Sequence, residues 1–192
     1  MGSEKSCSEN VHYVIHEDIR TSKVTMVFHH INHIHAVAQF SCCAAFRYCL
    51  TLQHTKRNKG TTVCVIMQNP SVAGTHVADK SVHFLEKLIF EMKYPEFQNA
   101  QRIIIVNQFA RVKTKDFVGS EEQIGPDNDI YLYNAIKESH IVLLAWGKKN
   151  PYVNRQETIL RMIREFPEKV LLMTKKHPSR GAYKDFILPY AY

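Results

Sequence analysis

Four short apolar runs recur at near-regular spacing in the last two-thirds of the chain, and a polar segment follows each of them. The runs cover residues 63–67, 103–106, 141–145 and 170–173. Amphipathic helical patterns lie between them, and apolar runs separated in this way predict a parallel β-sheet that is covered on both faces. In such sheets ligands bind at the carboxyl ends of the strands. The polar segments therefore mark the edge at which we expect a binding site.

Two further strands are predicted before these runs. Residues 23–29 and 45–52 alternate between apolar and polar side chains, which is typical of strands. The polar stretch 54–62, which contains Gly60, then turns the chain into the run at 63–67. We interpret the strand at 45–52 and the run at 63–67 as an N-terminal antiparallel hairpin that leads into the main sheet.

The intervening segments predict three helices and complete the fold class. Residues 78–93 place apolar side chains on one helical face, a second helix begins at Gly125-Pro126 and ends at 139, and a third covers 155–166. The order predicts an α/β protein, a three-layer α/β/α sandwich with a mainly parallel central sheet. We expect residues 1–22 to form a flexible N-terminal tail and residues 23–192 a single α/β domain whose aromatic end, 186–192, packs back on it.

Charge and composition narrow the classes of partner. The 192 residues carry a net charge of +7, which favours an anionic partner, DNA or a nucleotide first. Solvated basic loops are the alternative. Basic residues follow the last two apolar runs and are the predicted nucleic-acid contacts: Lys148, Lys149, Lys175, Lys176 and Arg180. No apolar stretch approaches the roughly 20 residues that cross a bilayer, so we expect no membrane partner. Five cysteines fit no closed disulfide framework and indicate a cytoplasmic protein with reduced thiols.

Two asparagines follow neighbouring apolar runs. Asn69 precedes Pro70 and Ser71, and the proline holds Asn69 in an extended conformation that aims its amide at the edge of the sheet. Asn107 repeats the arrangement after the next run. An amide presents both a donor and an acceptor and so matches the edge of a nucleobase. The alternative is that both segments are ordinary turns, in which asparagine, proline and serine are common.

Trp146 and His177 follow the last two apolar runs. Trp146 is suited either to stack on a base or to seal the core. His177, next to Pro178 and Ser179, is suited to stabilise a developing anion, and a surface turn is the alternative. Four histidines within residues 29–35 invite a metal interpretation, but zinc needs three or four converging ligands, and no cysteine pair or acidic ligand accompanies them. We therefore predict neither a metal site nor a cofactor.

The ordered set of motifs from about residue 46 to 188 resembles an uncharacterised bacterial and phage family, domain-of-unknown-function family 1643. The motifs that carry the resemblance are Phe46-Arg47-Tyr48, Asn69-Pro70-Ser71, Asn107-Gln108-Phe109-Ala110, Gly125-Pro126-Asp127-Asn128-Asp129, Trp146-Gly147 and His177-Pro178. Each motif is short, and their order along the chain makes the set specific.

A more distant resemblance is to the uracil-DNA glycosylase superfamily. Residues 68–71 are similar to its first motif, Asn107 to its pyrimidine-reading asparagine, residues 144–147 to its Leu-Trp-Gly strand, and residues 177–179 to its His-Pro-Ser loop. This resemblance implies that a flipped-out base is excised by hydrolysis of its N-glycosidic bond.

The glycosylase resemblance also implies a role for each candidate residue. Asn69 would position the attacking water, Asn107 would read the base and His177 would donate to the base oxygen. Pro70, Ser71, Trp146 and Ser179 would complete the substrate site. Because an amide cannot accept a proton as a carboxylate does, the alternative is a non-catalytic module that binds a nucleobase, a nucleotide or a protein partner in the same pocket. An enzyme acting on a free nucleotide is a third possibility.

Overall fold

Strands and helices alternate over most of the chain in a computed structural model that describes residues 14–16, 25–112, 117–147 and 151–191. The strands are β1 (Val14–His16), β2 (Thr25–Phe28), β3 (Ile34–Phe40), β4 (Arg47–His54), β5 (Thr61–Met67), β6 (Ala78–Asp79), β7 (Ala100–Asn107), β8 (Ile141–Leu144), β9 (Val170–Thr174) and β10 (Ile187–Pro189). The helices are α1 (Lys80–Glu86), continued by a π-helical turn (Lys87–Glu91), α2 (Asn128–Glu138) and α3 (Val153–Arg164). Short 3₁₀ turns lie at Pro95–Phe97, Glu121–Gln123 and Pro178–Arg180.

Seven of the described strands form one mixed sheet in the order β10-β9-β8-β5-β7-β4-β3. Its pairs β9–β8, β8–β5 and β5–β7 are parallel, whereas β10–β9, β7–β4 and β4–β3 are antiparallel. The prediction of a mainly parallel sheet is therefore wrong, although the protein is α/β as expected. Parallel pairing joins the four apolar runs, which helices connect, while the strands added at either side run antiparallel to their neighbours.

The predicted hairpin joins the wrong strands. β4 does not pair with β5, because β7 lies between them: Ile105 is opposite Leu50 on one side and Val65 on the other. The hairpin partner of β4 is β3, with Ala36 opposite Leu52, and β3 begins inside the histidine-rich segment. Alternation along a segment identifies a strand, but its neighbour depends on pairing between residues far apart in the chain.

The two faces of the sheet bury two separate apolar clusters. Along β5, Val63, Val65 and Met67 belong to one cluster, and Cys64 and Ile66 belong to the other. This division follows from the two-residue period of a strand. The first cluster includes apolar side chains of α1 and its π-helical continuation, and the second includes those of α2 and α3.

The three predicted helices are confirmed with shifted ends. The segment predicted as one helix over 78–93 contains the short strand β6, α1 and the π-helical turn. Asp79 is the N-cap of α1, where its Oδ1 accepts hydrogen bonds from the backbone N–H groups of Ser81 at 2.8 Å and Val82 at 2.9 Å. This cap determines where the helix begins and where the carboxylate lies.

The C-terminal segment packs back on the sheet as predicted. Phe186 is buried and meets Phe84 of α1 edge-on, with ring centroids 5.0 Å apart. The following strand, β10, extends the sheet by pairing antiparallel with β9.

A small second sheet pairs β1 with β2 and β2 with β6. Of the segment predicted as an N-terminal tail, residues 1–22, only Val14–His16 is among the described residues, and it forms β1. The remainder of the predicted tail lies outside them. Within the described ranges, no helix is both long and apolar enough to span a lipid bilayer.

Candidate functional site

A polar cavity of about 440 Å³ lies at the carboxyl ends of β5, β8 and β9. These strands are parallel, so the segments that follow them meet at one edge of the sheet. The start of α1 supplies the remaining wall. The lining residues are Met67, Gln68, Asn69, Ser71, Asp79, Ser81, Trp146, Gly147, His177, Ser179 and Arg180.

Five of the seven residues predicted for catalysis and substrate binding are brought together here. The two predicted catalytic residues, Asn69 and His177, both line the cavity although they are far apart in the sequence. The predicted substrate contacts Ser71, Trp146 and Ser179 also line it. Pro70 is buried behind the wall, and its carbonyl accepts a hydrogen bond from Asn69 Nδ2 at 3.3 Å.

Asn107 is not on the cavity wall. It lies opposite Met67 in the β5–β7 ladder and is fully buried, whereas Asn69 lies two residues beyond Met67. β5 ends at Met67 and β7 ends at Asn107, so Asn107 is still part of the ladder whereas Asn69 lies beyond it. Two asparagines that each follow an apolar run can lie at different depths, since register decides which residues are neighbours.

The predicted basic contacts divide into three sets. Arg180 lines the cavity and is exposed. Lys175 and Lys176 follow β9 and are exposed beside it. Lys148 and Lys149 lie outside the described residues.

Asp79 is a cavity residue that the sequence analysis did not identify. Its Oδ1 caps α1, while its Oδ2 accepts no hydrogen bond from any described residue. The side chain is largely buried yet lines the cavity. An aspartate just before a helical pattern is an N-cap signal, and that signal could have placed a carboxylate at the helix start. It could not have shown that α1 begins beside His177.

The hydrogen bonds of His177 define its tautomer. Its Nδ1 accepts a hydrogen bond from the backbone N–H of Ser179 at 3.3 Å and lies 2.9 Å from Ser179 Oγ. The ring proton is therefore on Nε2, which is a donor. Burial lowers the pKa of His177, and the charge of Arg180 adds to this effect while that of Asp79 opposes it. His177 is thus a neutral hydrogen-bond donor at neutral pH.

Gly147 allows the end of β8 to approach His177 closely. Its φ is +85°, a conformation that favours glycine, and an added Cβ would lie 3.2 Å from the backbone nitrogen of His177. The adjacent Trp146 is half-buried, packs against the α2–α3 side of the core and lines the cavity. Both roles considered for the tryptophan are therefore open to it.

The histidine-rich segment makes a separate buried contact. His30 Nδ1 hydrogen-bonds to the carboxylate of Glu86, and its Nε2 lies 2.9 Å from the carbonyl oxygen of Gly74. His29, His33 and His35 are exposed. Sequence patterns offered no signal for this pair, because the two residues are 56 positions apart.

A protein-family model described as "Protein of unknown function (DUF1643)" matches residues 47–181. This match confirms the first family resemblance and covers every predicted site residue. No curated protein and no solved structure matches the chain.

Proposed function

We propose that this chain, which belongs to the DUF1643 family, binds a nucleobase in the polar cavity and hydrolyses its N-glycosidic bond. One observation carries the proposal: a neutral imidazole donor, an amide and a carboxylate line the same cavity, as His177, Asn69 and Asp79. Its volume of about 440 Å³ falls within the range of roughly 300–1,000 Å³ that is usual for small-molecule sites.

The likeness to the uracil-DNA glycosylase superfamily supports the same reaction. Four adjacent parallel strands, β7, β5, β8 and β9, would be the centre of its three-layer α/β/α arrangement. The segments after β5, β8 and β9 supply the cavity in the order that the resemblance implies, whereas Asn107, to which it assigns the reading of the base, is not on the wall. A shared fold alone does not establish a function, so the proposal depends on the chemistry of the side chains.

His177 would stabilise the departing base. As the bond between C1′ and the base nitrogen breaks, its electron pair leaves with the base and negative charge develops on the base oxygen. The Nε2–H of a neutral His177 would donate to that oxygen. A single preorganised donor of this kind contributes on the order of 3 kcal/mol to the transition state. Because the pKa of His177 is lowered, this donor state persists at neutral pH.

Asp79 would accept the proton of the attacking water. Water adds to C1′ through its oxygen and transfers one proton to the free Oδ2 of Asp79, while Asn69 orients the water. The product sugar carries the new hydroxyl at C1′, and the released base anion later takes up a proton, so that one water is consumed. A carboxylate in the cavity supplies the proton acceptor that Asn69 cannot be.

The outer edge of the cavity suits a polymer. Arg180 lines the cavity, Lys175 and Lys176 follow β9, and all three are exposed and would contact phosphates on either side of a flipped-out nucleotide. Trp146 would stack on the base. The net charge of +7 adds a long-range attraction for nucleic acid.

Base release from defined oligonucleotides tests the proposal. Duplexes and single strands that contain uracil, hydroxymethyluracil or a mismatched base are incubated with the wild-type protein and with Asn69→Ala, Asp79→Asn and His177→Ala. We expect release by the wild type and a loss of at least about a hundredfold in each variant. The matched control is His35→Ala, an exposed histidine of β3, which should retain activity. Absence of release from every oligonucleotide by folded protein would rule out the hydrolase.

A non-catalytic base-binding module is the second candidate, since the residue that follows β5 in the cavity is an amide, Asn69, and not a carboxylate. Its signature would be nucleotide or DNA binding without base release. Lys175→Ala combined with Lys176→Ala should then weaken DNA binding and reduce its dependence on salt concentration. Trp146→Ala should weaken the binding of a free nucleotide as well as that of DNA.

A further inference from the structure

Arg47 is a fully buried cation with an unpaired hydrogen-bonding edge. Its side chain has no solvent exposure, and its Nη1 donates to the carbonyl oxygen of Ala73 at 2.6 Å. Its Nε and Nη2 have no hydrogen-bond partner among the described residues. Buried charged groups in proteins are normally paired, since an unpaired one is costly to remove from water.

The two unpaired nitrogens lie on the same edge of the guanidinium. Nε–H and the adjacent Nη2–H point in parallel directions, and this edge matches the two oxygens of a carboxylate or a phosphate. The acidic charge that acts on Arg47 is that of Asp79, which makes no hydrogen bond to it. Among the described residues, this oxyanion-matching edge of Arg47 therefore makes no hydrogen bond.

A second unpaired polar group lies on the next strand. Asn107 is fully buried, and neither its Nδ2 nor its Oδ1 has a partner within the described ranges. β7, which carries Asn107, is the neighbour of β4, at whose start Arg47 lies. The alternation of β7 places Asn107 on the same face as Ile103 and Ile105, the α1 side, and Ala73 belongs to that cluster too.

The two groups are next to the cavity but separate from its wall. Asn107 lies opposite Met67, which lines the cavity, and Ala73 belongs to the segment 70–77 that also carries the lining residue Ser71. Val72 in that segment is 41% exposed, so the segment is a surface layer above the buried groups. Displacement of this layer would open a path from the cavity to Arg47.

We propose that Arg47 and Asn107 form an inner oxyanion site beneath segment 70–77, for one carboxylate or phosphate group. Two oxygens of the anion accept hydrogen bonds from Nε and Nη2 of Arg47, and the amide of Asn107 donates a third. The anion supplies a hydrogen-bonded counter-charge, which Asp79 does not provide to the guanidinium. The proposal does not depend on what the outer cavity binds.

Simple ions test the site directly. Calorimetric titration and thermal unfolding are measured with sodium phosphate and with sodium acetate, each against sodium chloride of equal ionic strength. We expect saturable binding and a saturable rise in the unfolding temperature with at least one oxyanion, and the two arms identify which. Arg47→Lys keeps the charge but loses the two-donor edge, so binding should weaken at least about tenfold. Arg161→Lys, the same substitution at an exposed position of α3, is the matched control and should bind as the wild type does.

Three outcomes would overturn the proposal. Loss of binding in Arg180→Lys with retention in Arg47→Lys would assign the anion to the cavity rim. Equal binding in Arg47→Lys and the wild type would remove the role of the guanidinium edge. No saturable response to either oxyanion would mean that the buried groups hold water only.

A spectroscopic measurement on the wild type covers the case in which Arg47→Lys does not fold. The Nε–H resonance of Arg47, assigned through its own backbone, should shift with added oxyanion along the same saturation curve as the calorimetric signal. An unshifted resonance at saturating ion would contradict the proposal. Since the probes contain no base or sugar, failure of base release would leave this result unaffected.

Discussion

Two charged side chains in the described part of the chain are completely buried, and they differ in how many hydrogen-bond partners they have. Glu86 of α1 accepts hydrogen bonds from His30 Nδ1 and from the backbone N–H of Ile31 at 3.2 Å. The Nδ1 of His83 lies 3.7 Å from its second oxygen, too far for a hydrogen bond. Arg47, by contrast, has the carbonyl oxygen of Ala73 as its one partner in the described chain.

This difference in partners indicates different roles: the Glu86 charge stabilises the fold, whereas the Arg47 charge is available to a ligand. Both ring nitrogens of His30 face acceptors, the Glu86 carboxylate and the Gly74 carbonyl. Below its raised pKa the ring therefore donates at both positions and carries a positive charge. The pair joins the segment before β3 to α1. His30 precedes the family-matched residues 47–181, whereas Arg47 and its partner lie within them. The paired charge attaches the N-terminal part of this chain, and the unpaired one lies beside the cavity.

The largest loss of stability is expected when the pair of Glu86 and His30 is broken. Glu86→Gln removes the negative charge and leaves His30 buried without it, which should lower the free energy of unfolding by about 3–5 kcal/mol. Urea unfolding measures the change. The matched control is Glu96→Gln, the same substitution at an exposed position, which should stay within about 0.5 kcal/mol of the wild type. A small effect of Glu86→Gln would mean that the pair contributes little, and the contrast with Arg47 would fail.

The pH dependence of stability should also distinguish the pair of His30 and Glu86 from the unpaired Arg47. Burial lowers the pKa of His30, but its hydrogen bond to Glu86, the Glu86 charge and the Gly74 carbonyl outweigh this effect and raise the pKa above 6.5. The stabilisation is therefore complete below pH 6.5 and is lost as pH rises through the raised value. We expect the free energy of unfolding to fall by about 1.4 kcal/mol for each pH unit by which the pKa of His30 is raised. Burial raises the pKa of Glu86, but His30, the neighbouring His83 and the backbone N–H of Ile31 together outweigh burial and lower it from 4.5. The contribution of Glu86 is therefore complete above pH 4.5 and is lost on further acidification.

Unfolding of the wild type and of His30→Gln, followed from pH 5.5 to 8.5, checks this expectation. The difference in stability between the two proteins should shrink as pH rises. The groups that face His30 are the Glu86 carboxylate and the Gly74 carbonyl, with the His83 ring near the second carboxylate oxygen. A difference that is constant across this range would show that the imidazole does not titrate as the pair requires.

A smaller change in stability is expected when the unpaired charge of Arg47 is removed. Arg47→Met replaces a buried guanidinium that the protein does not pair, and loses a single hydrogen bond to Ala73. The free energy of unfolding in chloride buffer should change by no more than about 1 kcal/mol, and a gain in stability is consistent with the argument. Urea unfolding beside Glu86→Gln provides the direct comparison. A loss of 3 kcal/mol or more would show that Arg47 is paired in solution.

The smallest change in stability is expected at Asp79, of which only one carboxylate oxygen accepts hydrogen bonds from described residues. Asp79→Asn keeps an oxygen that can accept from Ser81 and Val82, and asparagine is as good an N-cap as aspartate. The free energy of unfolding should change by less than about 0.5 kcal/mol. Base release, in contrast, should fall sharply if Oδ2 is the proton acceptor. Wild-type release by a stably folded Asp79→Asn would remove Asp79 from the mechanism.

Much of the candidate site could be predicted because strand position is a local property. Asn69, Trp146 and His177 each follow a continuous apolar run, and parallel strands bring their carboxyl ends to one edge. Asn107 followed the same rule and did not reach the cavity, because the register of β7 places it opposite Met67. Register depends on contacts between distant strands, which a pattern within one strand does not contain.

The other corrections have the same origin. The pattern at residues 45–52 identified a strand, yet its neighbours are β3 and β7 and not β5. Asp79 was visible as a potential helix cap, but its place beside His177 depends on how α1 packs on the sheet. The pair of His30 with Glu86 joins residues 56 positions apart, and nothing near either residue indicates the other.

Local patterns in the sequence were enough to indicate the four apolar strands, the three helices and the burial of the apolar runs, and to show that Asn69, Trp146 and His177 follow strands. These properties arise from the spacing of apolar residues and from local backbone preferences, so neighbouring residues suffice to specify them. Long-range contacts set the order and direction of the strands, the depth of Asn107, the position of the Asp79 carboxylate in the cavity, and which buried charge has a partner. Each of these depends on side chains that meet across long stretches of chain, where packing and hydrogen bonding select one arrangement from many that the local patterns allow.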